Sequence, residues 1–409
     1  MRQDGNLILK SILIVINNLS RAGAERVLVS LLKLIDYTEY SIDLLSIIDL
    51  GELFDELPKE VNVLNPDPKN FSVLSRQGTR YIAKTVVKNM LSRGYGFYYI
   101  PYAVKNLFYQ LKRKKFLFDK FFWKCLSDNQ KTVKKEYDLA VGFTEGAATY
   151  YVSKRVKAKK KISYIHVDYE KAGYIKELDK KFYESIDSIF CVSNSVKDGF
   201  LKIYPEHNSK TVIFDNIVLP DEIRSNAKKG TGFTDSFDGV RLLTVARLHP
   251  QKAFEVAIPA FAKLVSMGYD NVKWYVMGEG EERKHLESLI EKHGLKDKFI
   301  LCGMTDNPYP YIKQCDIYVH ATHYEGWCIA IAEALILKKP VIASNVTGNR
   351  DQITNEENGL IIDLSVDNLA EAIKRLIDDK ALRQRFIDKL SENDADYLKG
   401  FKMFLEAAE

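Results

Sequence analysis

Residues 324–348 read YEGWCIAIAEALILKKPVIASNVTG. Two acids in this stretch, Glu325 and Glu333, stand eight positions apart. The apolar spacing predicts a helix over 329–337, and the run 341–344 reads as a buried strand. Glu325 and Gly326 then precede the helix in a loop, while Glu333 falls one to two turns inside it. Eight helical residues span about 12 Å. Between the two carboxylates lie the free N–H groups of the helix start, on Gly326, Trp327 and Cys328, which suit an anion. That is the scale of a ligand with a diphosphate in its middle and hydroxyl groups at both ends.

Strands and helices alternate on either side of this stretch. Strands are expected at 240–245, 272–277, 299–302, 316–320 and 359–362, with helices at 254–265, 281–292 and 369–377. A similar run occupies the N-terminal half. It opens with SILIVI at 11–16, a continuous apolar segment with the pattern of a strand buried on both faces. A loop at 17–23 and a helix at 24–34 follow, then strands at 40–48, 61–64, 138–143, 161–166, 188–192 and 210–214. The polar stretch NAKKGTGFTDSFDG at 226–239 reads as a linker. This pattern implies an α/β chain of two Rossmann-like parallel-sheet domains facing a cleft. They would occupy residues 1–220 and 221–390, and a helix within 391–409 would return to the first.

The composition narrows the classes. The chain has 409 residues, 46% hydrophobic and 28% charged, which excludes collagen-like and wholly disordered proteins. Its five cysteines are scattered without a CxxC pair, so a zinc ribbon or disulfide scaffold is not expected and a reducing cytoplasm fits. No segment reaches the ~18–20 uncharged apolar residues of a membrane span. The N-terminal run Leu7–Ile16 is interrupted by Lys10 and reads as a strand, not a signal peptide.

Charge is unevenly spread. Residues 76–135 hold fifteen Lys/Arg and two acids, so 15 − 2 = +13, and the remainder carries 5 − 13 = −8. This block also holds a cluster of aromatics and reads as two or three helices around a break at 94–101. Cations beside rings suit an anionic membrane surface. The expected contact is Lys112, Arg113, Lys114 and Lys115 with Phe121, Phe122 and Trp123. The competing reading is a helical insertion whose rings are core and whose lysines are solvated. No RNA-binding signature or zinc finger favours nucleic acid.

Three further motifs bear on the site. LTVARLHPQKAF at 243–254 places Arg247 and Lys252 in the loop after a buried strand, where fixed cations can neutralise a diphosphate. LSRAGAE at 19–25 puts Gly23 between a core strand and a helix, where backbone can approach a ligand. KISYIH at 161–166 ends on His166, placed to meet a sugar hydroxyl or a phosphate.

The segments RAGAE at 21–25, YIH at 164–166, VSNS at 192–195, ARL at 246–248, QK at 251–252, PVIA at 340–343 and NGL at 358–360, with the spaced glutamates, resemble the retaining glycosyltransferases of family four, of the GT-B fold. The resemblance is to bacterial cell-surface polysaccharide enzymes. It implies that Arg247 and Lys252 grip the diphosphate of a nucleotide-sugar donor and that Glu333 holds its ribose. His166 and Glu325 would lie at the transferred sugar as the catalytic pair. Gly23, Gly326, Trp327 and Cys328 would be near the diphosphate, and the backbone at Met304 near the base. The sequence departs from the family's pattern at Ala22, Ala253 and Asp351.

The implied reaction moves a sugar, from a UDP-hexose or UDP-N-acetylhexosamine, to a glycan or a polyprenyl-diphosphate-linked glycan. It would keep the anomeric configuration and need no metal or cofactor. The one Asp-x-Asp run, Asp394–Asp396, lies near the C-terminus and not after a strand. The implied location is the cytoplasm, peripheral to the inner face of the cell membrane. A sugar-nucleotide 2-epimerase and a non-catalytic glycan- or nucleotide-binding subunit are the alternatives.

Overall fold

A computed structural model of the chain describes every residue except 1, 4, 5, 8, 74, 92–94, 113–117, 170, 171 and 393–395. Two compact units emerge, Met1–Ile217 with Leu398–Glu409, and Val218–Tyr397. The sequence placed the divisions at 220/221 and 390/391. The polar stretch 226–239, read as the linker, lies instead inside the second unit. It is anchored there. Phe233 packs on Tyr275 and Tyr311, and the Asp235 carboxylate accepts the Tyr275 hydroxyl and pairs with Arg241.

After a short antiparallel pair, Arg2–Gln3 with Asn6–Leu7, the first unit runs through β1 (Lys10–Ile16), α1 (Gly23–Leu34), β2 (Tyr40–Ser46) and β3 (Asn62–Val63). Three helices follow, α2 (Arg76–Leu91), α3 (Tyr95–Lys112) and α4 (Phe118–Asn129). Then come β4 (Glu136–Gly142), α5 (Ala147–Arg155), β5 (Lys157–Ile165), α6 (Lys176–Tyr183), β6 (Ser188–Cys191), α7 (Asn194–Ile203) and β7 (Thr211–Ile213). The seven strands pair in parallel in the order β3-β2-β1-β4-β5-β6-β7. Ile12 to Ile16 are fully buried, because helices cover both faces of a parallel sheet and every side chain of a central strand meets apolar neighbours.

The second unit contains α8 (Pro220–Asn226), β8 (Val240–Val245), α9 (Phe254–Ser266), β9 (Val272–Met277), α10 (Arg283–Lys292), β10 (Phe299–Gly303) and α11 (Tyr309–Gln314). It continues with β11 (Ile317–His320), α12 (Ile329–Ile336), β12 (Val341–Ser344), α13 (Thr347–Arg350), β13 (Gly359–Ile362), α14 (Val366–Asp378) and α15 (Lys380–Glu392). Its six parallel strands run β10-β9-β8-β11-β12-β13. Alternate strand residues face opposite layers. Leu242, Trp274, Val276 and Ile317 pack with α9 and α14, and Leu243, Tyr275 and Tyr318 with α12. The final helix, α16 (Lys399–Ala408), belongs to the first unit, where Lys399 pairs with Asp215 at 2.7 Å and Phe404 is fully buried.

The basic block departs from expectation in two respects. Pro101 lies inside α3 and does not break it; a proline there costs one backbone hydrogen bond on a helix otherwise held by its neighbours. Phe121 packs on Tyr99 and Tyr102, and Trp123 lies beside Gly146, so these two rings are turned into the unit instead of being offered to a bilayer. Phe122 and Lys112 are exposed, while Arg113, Lys114 and Lys115 lie outside the described residues. Among the described residues no helix is long and apolar enough to cross a membrane.

Candidate functional site

The second sheet reverses its winding between β8 and β11, which pair directly through Leu242 with Ile317 and Leu243 with Tyr318. Open parallel sheets bind ligands outside the carboxyl ends of their strands at such a reversal. The loop after β8 carries Arg247 and Lys252, and the loop after β11 carries Glu325.

Backbone bonds tie these loops together. The Gln251 side-chain amide donates to the Tyr324 carbonyl at 2.8 Å. The Gln251 carbonyl accepts the Thr322 hydroxyl at 2.9 Å and the His323 N–H at 2.9 Å. On the other side, Leu248 N–H donates to the Glu279 carbonyl at 3.0 Å. This approach needs Gly278 and Gly280, since a Cβ on either would overlap the carbonyls of Ala246 and Leu248. Gly348 does the same for Glu325 and Gly326, whose carbonyls fill the space a Cβ would take. The Gly-Glu-Gly run at 278–280 was thus a legible signal that sequence reasoning passed over.

At the centre, the Lys252 ammonium forms an ion pair with Glu325 Oε2. His320 Nε2 lies 3.2 Å from the same oxygen, 3.5 Å from Lys252 Nζ and 3.4 Å from Cys328 Sγ. Burial opposes the charge on Glu325, but Lys252 and then His320 outweigh it and hold the carboxyl down to about 2. Burial, reinforced by Lys252, lowers His320, so the imidazole is neutral. Burial and the Glu325 charge push the Cys328 thiol up to about 12.

The donor atoms of His320, Glu325 and Cys328 lie within 4.8 Å of one another, and these are residue types that bind divalent metals. The cation seated against them is the Lys252 ammonium, and the thiol keeps its proton. The Lys252 charge opposes a second positive charge at this point.

The other expected residues fall into distinct settings. Arg247 is exposed; its carbonyl accepts the His249 N–H at 2.9 Å, and its side chain has no hydrogen bond or ion pair among the described residues. Met304 is exposed beyond Gly303, whose φ is +82°. Cys328 is the N-cap of α12. Trp327, expected at the donor, packs against the cluster of Val218, Ile223, Ala332 and Ile336. Glu333 is buried on α12 and accepts the Tyr309 hydroxyl at 3.0 Å. Neither Tyr309 nor His320 was marked by the sequence motifs.

Gly23 and His166 belong to the first unit. Gly23 is exposed at the start of α1, in the loop after β1. His166 follows β5, stacks on Tyr164, and places Nε2 2.9 Å from the Phe143 carbonyl. Its backbone N–H donates to Glu145 Oε2 at 3.0 Å. Burial pushes the imidazole down to about 4, so near pH 7 it is neutral with one ring nitrogen engaged. Phe143 and Glu145 follow β4, and β1 and β4 flank the winding reversal of the first sheet.

Residues 237–392 match the family model for glycosyl transferases group 1. A relative from Campylobacter jejuni, N-acetylgalactosamine-N,N'-diacetylbacillosaminyl-diphospho-undecaprenol 4-alpha-N-acetylgalactosaminyltransferase, is 26% identical over 51% of this chain and 55% of its own length. The capsular polysaccharide biosynthesis glycosyltransferase CapM from Staphylococcus aureus is 29% identical over 49% of this chain and 52% of its own. The chain thus spans about half the length of the curated relatives it matches. Among solved structures, Anabaena HepE in complex with UDP superposes with a TM-score of 0.66 at 15% identity, covering 97% of this chain and 98% of that one. From its two parallel sheets and this superposition, the chain has the GT-B fold, and residues 237–392 of its second unit are similar to the group 1 glycosyl transferases.

Proposed function

We propose that the protein is a retaining, metal-independent hexosyltransferase. It takes a sugar from a UDP-hexose or UDP-N-acetylhexosamine to a glycan, or to a glycan on a polyprenyl diphosphate, in cell-surface polysaccharide synthesis at the inner face of the cell membrane. The observation that carries this reading is the meeting of Lys252 with Glu325 at the winding reversal of the second sheet, on loops that also carry Arg247 and lead to the buried Glu333. The names of the relatives support a lipid-linked or capsular glycan as acceptor, and the neighbour's complex with UDP supports that nucleotide.

In this reaction the bond from the anomeric carbon to the diphosphate oxygen breaks as a bond to the acceptor oxygen forms on the same face. The acceptor's proton goes to the departing phosphate oxygen. Arg247 and Lys252 offset the charge that develops on the leaving group. Lys252 does so by loosening its hold on Glu325, whose carboxylate is then released toward a sugar hydroxyl. Glu333, fixed by Tyr309, binds the ribose, which does not change during transfer.

Product analysis with labelled UDP-sugars tests the proposal. A glycosidic product with the donor's anomeric configuration is expected. An inverted product removes the retaining assignment, an epimerised donor makes the protein an epimerase, and an unchanged donor with bound UDP makes it a binding subunit.

A further inference from the structure

Helix α3 is built inside out. Its buried side carries Tyr99, Asn106 and Gln110, and the two amides, each only 3% exposed, hydrogen-bond to one another at 2.7 Å. Its exposed side carries Phe97, Ile100, Val104, Leu107, Phe108 and Leu111, with Phe97 85% exposed and Val104 and Phe108 61%. Positions 97, 100, 104, 107, 108 and 111 fall on one face of a 3.6-residue helix. A helix facing water shows the opposite arrangement, and a contiguous exposed apolar face marks an interaction surface.

The neighbouring helix shows what meets this face. Helix α2 packs against α3 and exposes Arg76, Arg80, Lys84 and Lys88 at every fourth position. Like charges at that spacing repel one another, so the row calls for external anions. Across residues 76–112 there are seven Lys/Arg and no acid. An apolar face on one helix and, on the helix packed against it, an exposed row of cations with no acidic partner among the described residues match a bilayer, whose hydrocarbon and anionic headgroups also lie side by side.

We infer that the exposed face of α3, flanked by the cationic row of α2, seats the first unit on an anionic lipid bilayer. Phe97, Val104 and Phe108 enter the acyl boundary, and Arg80, Lys84 and Lys88 meet the headgroups. This deepens the proposed function by naming the surface through which a lipid-held acceptor is reached, and it rests on that reading only for its purpose. It also moves the contact away from Phe121 and Trp123, which pack inward.

The test is co-flotation of the full chain with vesicles of phosphatidylglycerol and phosphatidylcholine, compared with phosphatidylcholine alone, and with UDP thermal shift as a separate readout. Binding to the anionic vesicles only is expected, and it should weaken at high salt. Lys84→Glu with Lys88→Glu should weaken it about tenfold or more, and Phe97→Ser with Phe108→Ser by a similar factor, with the UDP shift unchanged in both. Equal binding to neutral vesicles, or no loss in either variant, overturns the inference. So does a concentration-dependent dimer in sedimentation that the Phe97→Ser, Phe108→Ser variant abolishes, which would make the face a contact between copies. Absence of any UDP shift, with vesicle binding intact, would instead count against the donor assignment alone.

Discussion

Lys252 and Glu325 are 73 residues apart in the chain, and their ion pair is largely shielded from water. Arg247 stands on the same loop, exposed and without such a partner among the described residues. The two cations therefore predict different phenotypes. Lys252→Met should slow transfer by about 10²–10³ and also destabilise by about 3 kcal/mol, because it leaves a buried carboxylate uncompensated. Arg247→Ala should show the same loss of rate with stability changed by no more than about 0.5 kcal/mol. Turnover and urea unfolding, measured on both variants, separate the roles. Equal destabilisation by the two would mean that Arg247 is structural.

Glu333 and Tyr309 concern binding more than chemistry. Tyr309→Phe removes the hydroxyl that holds the Glu333 carboxylate. A hydrogen bond to a charged group is worth about 1.5–3 kcal/mol, so donor KM should rise about tenfold or more while kcat stays near its original value. Glu333→Gln should follow the same pattern. A fall in kcat at unchanged KM would remove the ribose-binding role.

Two groups set two windows of pH-dependent stability. His166 is pushed from 6.5 to about 4, so between those values the unfolded chain binds a proton that the folded chain refuses. Stability should fall as pH drops through that window, and His166→Gln should flatten the slope. Glu325 is lowered from 4.5 to about 2, so its contribution is complete above 4.5 and is lost as pH falls toward 2. Lys252→Met should remove that second loss. Urea midpoints across pH 3–7 would show both, and an unchanged slope in His166→Gln would reassign the first window.

Ala253 adopts a left-handed conformation, with φ 47° and ψ 37°, at the N-cap of α9. That region costs a residue bearing a Cβ about 1 kcal/mol or more. Ala253→Gly should therefore raise stability by about 0.5–1 kcal/mol, after allowance for the added freedom of the unfolded chain. A lower urea midpoint in the variant would contradict this.

Metal dependence offers a separate check. With cations supplied by Arg247 and Lys252, activity should survive EDTA. Activity lost to chelation and restored by Mg²⁺ or Mn²⁺ would show that the leaving group needs a metal.

Much of the fold was legible because parallel strands buried on both faces write continuous apolar runs, as in Ile12–Ile16. Glu325 and Glu333 were legible by their spacing around one helix start. The partnership of Lys252 with Glu325 was not, because it depends on β8 lying beside β11, and strand order is absent from local pattern. The orientation of α3 was hidden for a related reason. Hydropathy alone would bury Phe97 and Phe108 and expose Asn106 and Gln110, the reverse of what is found. The 226–239 stretch misled because its composition records contact with water, whereas its attachment rests on a few residues such as Phe233, Asp235 and Phe237.

The return of α16 to the first unit carries a consequence for biosynthesis. Residues 398–409 leave the ribosome after the whole of the second unit, although Gly400 abuts the Asp215 carbonyl and Phe404 is enclosed in the first. The unit that starts first is therefore the last to be completed. Until α16 has been made, the first unit must wait with an open seat for it, during which the later-made second unit can already close its own core.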